Sequence, residues 1–183
     1  LPNAFQAVIN YIKSTSIEDD PKQNPHIGEA MGCWLYYTSI AEEIPAIETC
    51  LNTTTDKELL DLLTESKRLA EHQKRTLENF MINEGIPLSN TAQSKPNSDP
   101  NNIPLGVKST NDEIANLISI KIASNIMMCS TNMTQSIRND IGLMWARFYA
   151  EKMIFSMNLK NTMHKRGWLK IPPYFHPPGA PRP

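Results

Sequence analysis

The chain has 183 residues, 40% hydrophobic and 20% charged, with a formal net charge of −1 at pH 7. This is ordinary globular composition for one domain, able to bury about 70% of the surface its unfolded form exposes. Near-neutral charge without a basic stripe argues against nucleic acid and anionic membrane surfaces as partners, and no uninterrupted apolar run approaches the roughly 20 residues of a membrane span.

The opening LPNAFQAVINYIK has no basic region ahead of its apolar residues and no small-residue cleavage site, so no signal peptide is expected. It lacks a starting methionine, so a preceding segment is expected. Three cysteines, Cys33, Cys50 and Cys129, form no close-spaced motif. The first two would lie about 25 Å apart on one helix, too far to bridge. Odd number and wide spacing suggest a reducing, cytoplasmic compartment, with three small core residues as the ordinary reading and a redox role as the weaker one.

Residues 1–24 read as an arm. Phe5, Val8, Ile9 and Ile12 have the spacing of a short docked helix. The remainder, 25–183, reads as a four-helix bundle. The first helix is expected over about 25–51, with Asn24 as N-cap and Pro25 at the first helical position. Its seam is Ala30, Cys33, Tyr37, Ile40, Ile44, Ile47 and Leu51, and Pro45 predicts a kink. Gly28-x-x-x-Gly32 suggests close helix approach.

The second helix, about 55–84, opens with a capping box of Thr55 and Glu58 and ends at Gly85. Its stripe is Leu59, Leu62, Leu63, Leu69, Leu77 and Phe80, and its other faces are charged. A proline-rich connection, 86–108, follows. At roughly 70 Å extended against roughly 38 Å for a 25-residue helix, it is long enough to cross the whole bundle.

The third helix, about 110–134, opens with the capping box Thr110 and Glu113. Ile114, Ile118, Ile122, Ile126, Cys129, Met133 and Ile137 form its stripe; Leu117, Ile120 and Met127 add an apolar edge. The fourth, about 139–166, has a core seam of Ile141, Met144, Phe148, Phe155 and Leu159. Its second seam, Leu143, Ala146, Ala150, Met153 and Met157, needs cover from the crossover and the proline-rich tail 168–183, or from another subunit. The second alternative predicts a homodimer through this helix.

The two helix pairs repeat. At an offset of 82 residues Ile40 matches Ile122, Ala41 matches Ala123, Ile44 matches Ile126, Leu77 matches Leu159, Met81 matches Met163 and Gly85 matches Gly167. Two copies of one hairpin joined by a single long crossover make the ferritin-like topology. A di-iron member needs inward Glu on two helices and Glu-x-x-His on the other two. Here the candidates are Glu65-x-x-Arg68, Glu71-x-x-Lys74, Glu78-x-x-Met81 and Glu151-x-x-Ile154. None is complete, so no cofactor and no catalytic residue is expected.

Two smaller groupings remain. His26 and Glu29 share a face at the start of the first helix, as two metal ligands or, in the ordinary reading, a capped helix start. Glu151 falls near the core between Phe148 and Phe155, with Gln73 and Lys121 as polar exceptions on neighbouring helices. A buried charge needs a partner, and Lys121 or Arg147 is expected to supply it, as a structural ion pair or part of a polar ligand cavity. His72, His164 and His176 read as isolated surface residues.

Several stretches carry a resemblance: His26-Ile-Gly-Glu29 before Trp34, Gly85-Ile-Pro87, Ser98-Asp-Pro-Asn-Asn-Ile-Pro-Leu-Gly106, Ser136-Ile-Arg-Asn-Asp140 and Arg166-Gly-Trp-Leu-Lys-Ile-Pro-Pro-Tyr174. Together they resemble an uncharacterised ferritin-like family of endospore-forming bacteria, akin to coat F proteins and labelled "spore coat protein-like". The resemblance implies a ferritin-like bundle and brings no established activity or catalytic residues. The expectation is a non-enzymatic structural or interaction protein, homo-oligomeric, made in the cytoplasm and placed in the spore coat among other coat proteins. The alternative is a ferritin-like protein retaining a metal or small-ligand site near Glu151 or His26.

Overall fold

The computed structural model describes residues 23–175 and 177–179, together with helical positions 7, 10 and 11. The predicted stripe of Phe5, Val8, Ile9 and Ile12, and His176, lie outside the described residues. Four long helices follow in order: α1 (Ile27–Leu51), α2 (Lys57–Asn83), α3 (Asn111–Gln135) and α4 (Asn139–Lys165), with one 3-10 turn at Pro100–Asn102 and no strand among the described residues.

The helix ends show why these segments start and stop where they do. α1 starts two residues later than Pro25 suggests. The N-cap is His26, whose Nδ1 accepts from Gly28 N and Glu29 N, while Glu29 returns a bond to the His26 N–H. An imidazole nitrogen thus takes the place expected of Asn24. α2 is capped by Asp56, which accepts from Leu59 N; Thr55, expected in that role, is exposed. Thr110 and Glu113 do form a capping box. α2 and α4 stop alike: Gly85 and Gly167 have φ of 72° and 71°, and the residue after each donates to Met81 O or Met163 O at 2.8 Å. This left-handed turn favours glycine because a Cβ there crowds the backbone.

α1 pairs with α2 and α3 with α4, while α1 also meets α3 and α2 meets α4. Arg138 beside Glu84 marks one end of the bundle; Arg166 beside Asp56 marks the other. α3 therefore begins at the end opposite to the start of α1, and the connection before it runs the full length of α1. Thr38 donates to Ser89 near the start, Ser94 and Lys95 donate to Glu48 further on, and Ser98 and Pro96 bond Asn52 at the bottom. This strap covers the side of α1 near Ala41, Ile44 and Pro45. Of the expected seam Cys33, Tyr37, Ile40 and Ile47 are buried; Tyr36, Glu43 and Cys50 are buried beside it, while Ile44 and Leu51 are only half-buried. α1 runs through Pro45 without interruption. Gly32 lets α3 come close: an added Cβ would lie 2.6 Å from Asn132 Oδ1.

Two apolar clusters fill the interior. One, towards the Arg138 end, contains Tyr36, Leu77, Trp145 and Phe148, with Trp145 edge-on to both Tyr36 and Phe148. The other contains Ile47, Leu63, Ile118, Phe155 and Leu159, against which Trp168 and Leu169 of the tail pack. The second seam of α4 is partly taken up within the fold: Ala150 is buried, Leu143, Ala146 and Met153 are half-buried, and Met157 is exposed. α3 contains no uninterrupted apolar run of membrane-span length, but by length and a mean hydropathy of 1.2 over 18 residues it is long and apolar enough to cross a membrane, with a third of that window buried in the bundle.

Candidate functional site

Between the two apolar clusters lies a layer to which every helix contributes a buried polar side chain. They are Glu43 on α1, Ser66 on α2, Asn125 on α3 and Lys152 on α4, none more than 3% exposed. Each interrupts an apolar seam at three-four spacing, as in Tyr36-Ile40-Glu43-Ile47 and Phe148-Lys152-Phe155-Leu159. Lys152 Nζ lies 3.4 Å from Glu43 Oε1, and Asn125 Nδ2 donates to Glu43 Oε2 at 2.6 Å. Ser66 Oγ and Asn125 Oδ1 make no hydrogen bond. Ser66 lies level with Glu43 by register: Tyr36 bonds Gln73 across the antiparallel pair, and seven residues along each chain lead to Glu43 and Ser66.

One layer towards the Arg138 end, Tyr36 Oη donates to Gln73 Oε1 at 2.7 Å. Gln73 Nε2 donates in turn to Glu151 Oε2 at 2.9 Å and to Phe148 O. Burial raises the Tyr36 hydroxyl well above its ordinary pKa. Two of the expected polar exceptions thus meet, Gln73 and Glu151. Lys121 does not reach Glu151, since its Nζ donates to Ser39 Oγ on the far side; the His72 ring does come near, with Nε2 3.8 Å from Glu151 Oε1. Glu151 also lines a cleft of about 310 Å³ between α2 and α4, with Glu65, Arg68, His72, Ile154 and Asn158. Glu65 and Arg68 are already joined by two hydrogen bonds of 2.7 Å.

His26 and Glu29 are brought together with Ile137 and Arg138, residues not assigned to a site from the sequence. Glu29 Oε1 accepts from Ile137 N and Arg138 N at 2.8 and 3.0 Å, tying the start of α1 to the start of α4. Burial pushes its carboxyl up, but the bonds from Arg138, His26 and Ile137 outweigh it and the pKa is lowered. Arg138, 5% exposed, makes paired hydrogen bonds to Glu84 and to Asp140. These acids, Glu84 first, hold its guanidinium firmly charged. Both oxygens of Glu29 accept from backbone amides, so the arrangement is a clasp between helices.

The donor set of the central layer does not suit a carboxylate-bridged metal pair. It offers one carboxylate, one amide, one hydroxyl and an ammonium, and an ammonium beside the carboxylate supplies the positive charge a metal would otherwise bring. Among the described residues, no three His, Cys, Asp or Glu side chains lie close enough to hold an ion. The cysteines are buried thiols. Burial pushes Cys33 and Cys129 up to about 12 and raises Cys50, which disfavours the reactive thiolate.

Comparison with known proteins places the chain. It is 28% identical over 161 residues to the "uncharacterized protein YvdQ" of Bacillus subtilis (strain 168), a match spanning 87% of this chain and 94% of that protein. A crystal structure of a "putative spore coat protein" from Bacillus halodurans C-125 superposes with a TM-score of 0.82 and 28% identity, over 86% of this chain and 99% of that one. Residues 18–180 match the model of the family described as "protein of unknown function (DUF3231)", and the chain belongs to that family.

Proposed function

We propose that this protein is a non-enzymatic structural component of the spore-coat type, made in the cytoplasm and built into the spore surface by association with copies of itself and with other coat proteins. The observation that carries the reading is end-to-end likeness to the Bacillus halodurans protein, which spans 99% of that chain. The interior supports it: the mid-bundle carboxylate of Glu43 is engaged by Asn125 and Lys152 from two other helices, and the thiols are shut in. A fluorescent fusion expressed in sporulating Bacillus subtilis tests it. A shell around the forespore, retained through extraction of soluble spore proteins, is the expected result; diffuse mother-cell fluorescence would refute it.

The architecture supports a ferritin-like bundle grown from a doubled hairpin. Ser39 bonds Lys121 and Glu43 bonds Asn125, each pair separated by 82 residues. Equivalent residues touch each other when they flank a local two-fold axis, so both contacts support a half-turn relation between the hairpins. The bundle ends support it too. Asp56 and Glu84 of α2 correspond, 82 residues on, to Arg138 and Arg166 of α4; the N-cap of each helix pairs with the C-cap of the other.

The cleft beside Glu151 favours a second reading, a bundle retaining a site for a small ligand or metal ion. Metal analysis of protein purified without chelator tests it. Stoichiometric iron, manganese or zinc, lost in Glu151→Gln, would put this reading first; less than a tenth of an equivalent would dismiss the metal version.

A further inference from the structure

We infer that the outward face shared by α1 and α3 is a self-association surface whose occupant is the same face of a second copy of this chain; this rests on the structural reading above. On α3, Leu117, Ile120, Ser124, Met127 and Thr131 follow strict three-four spacing and are all exposed, Ile120 and Met127 each to 70%. Alongside them α1 turns out Ile27, Met31 and Leu35, exposed to 87%, 53% and 48%. A furrow of about 470 Å³ runs between Met31 and Leu35 on one side and Ser124, Met127 and Thr131 on the other. This heptad stripe is the pattern of a helix seam that has a partner, yet among the described residues nothing covers it.

Size and charge select a second copy. Two adjacent 25-residue helices present a face about 38 Å by about 20 Å, so about 750 Å², close to the ~800 Å² per partner of a stable interface. The face carries little charge. Beyond the first turn of α3 its charged residues are Lys121, turned to Ser39, and Glu42 of α1, exposed seven residues beyond Leu35 on the same row; the acid in the first turn of α1, Glu29, is buried. A surface whose one exposed acid, Glu42, is matched by one base, Lys121, carries no net charge and can meet itself across a two-fold axis, and apolar rows flanking a furrow are self-complementary in shape. A lipid surface is less well matched, because the face has no flanking row of Lys or Arg and no interfacial aromatics.

Light scattering on the full chain tests the inference. At micromolar concentration the expected mass is twice that of the chain. Ile120→Glu with Met127→Glu would bury two like charges against their copies, weakening the dimer at least ~100-fold. Both sites are exposed, so an unchanged circular dichroism spectrum and melting temperature are expected of the variant. A monomeric wild type, or a dimer untouched by these changes, would overturn the assignment. A dimer lost instead through Met153→Glu with Met157→Glu would move the interface to α4, and a monomer that binds phosphatidylglycerol vesicles would make the face a lipid contact. Coat localisation can survive each of these failures, so the two readings fall separately.

Discussion

Lys152 and Glu43 form an ion pair in the middle of the bundle, with side chains 0% and 2% exposed and 3.4 Å between Nζ and Oε1. Asn125 completes the carboxylate on its other oxygen. Desolvating two charges costs several kcal/mol, and one long ion contact returns only part of it. The pair therefore contributes more to the identity of the fold than to its stability, since sliding a helix by one turn would separate the partners.

That reasoning predicts a strongly non-additive pair of substitutions. Lys152→Met or Glu43→Leu alone strands the other charge and should cost about 3–5 kcal/mol, whereas the double change should recover most of the loss or exceed the wild type. Urea denaturation of the four proteins checks it; additive losses would show that the charges are not coupled.

The ion pairs at the two bundle ends predict unequal consequences from similar geometry. The side chain of Arg138 is 5% exposed and that of Arg166 is 36%. Arg138→Ala leaves Glu84 partly buried and also removes bonds to Asp140 and Gln23 O, and should cost about 3 kcal/mol or more. Arg166→Ala faces solvent screening and should cost less than about 1 kcal/mol. Thermal unfolding of both variants would reveal the difference.

The buried thiols give a prediction about access. Cys33 and Cys129 are held up at about 12 and all three are buried, so a disulfide reagent at pH 8 should react negligibly with the native protein. In urea it should titrate three equivalents. Rapid reaction of even one native thiol would contradict the packing described and revive the redox reading.

What the sequence made legible follows from which signals are local. Heptad spacing, the Thr110 capping box and the Gly85 and Gly167 stops each act within a turn or two, and each is found in the structure. The capped start read for His26 and Glu29 is found, but the sequence pattern assigns the N-cap itself to Asn24, because Asn24-Pro25 is the commoner opening; a ring-nitrogen acceptor is visible only once the ring is placed. In the site, Gln73 and Glu151 stood out as exceptions and do meet. Glu43 escaped because the α1 seam was traced through Ile44, one position away, before the strap's side of the helix was known. Lys152 escaped behind its neighbour Glu151, because both positions fit the three-four spacing between Phe148 and Phe155 and only packing decides which is fully buried. A rule was available: the seams of all four helices break at a polar residue near mid-helix.

The strap is the part of the fold most exposed to acid. Glu48 is 5% exposed and receives Lys67 at 2.9 Å, Ser94 Oγ at 2.6 Å and Lys95 N at 2.6 Å. Burial works to raise its pKa, but these three partners outweigh it and hold the carboxyl down at about 2, against an ordinary 4.5. A carboxyl lowered on folding contributes stability that is complete above about pH 5 and drains away as pH falls through the folded value. Between pH about 5 and 2 the strap should therefore loosen, exposing the backbone near Ser94 and Lys95 to an acid-active protease. In Glu48→Gln the Lys67 pairing is already absent, so that sensitivity should lose its pH dependence and the protein should be about 1–3 kcal/mol less stable at pH 7. Cleavage mapped across this pH range by mass spectrometry checks both points, and a strap cut equally at every pH in the wild type would separate Glu48 from its docking.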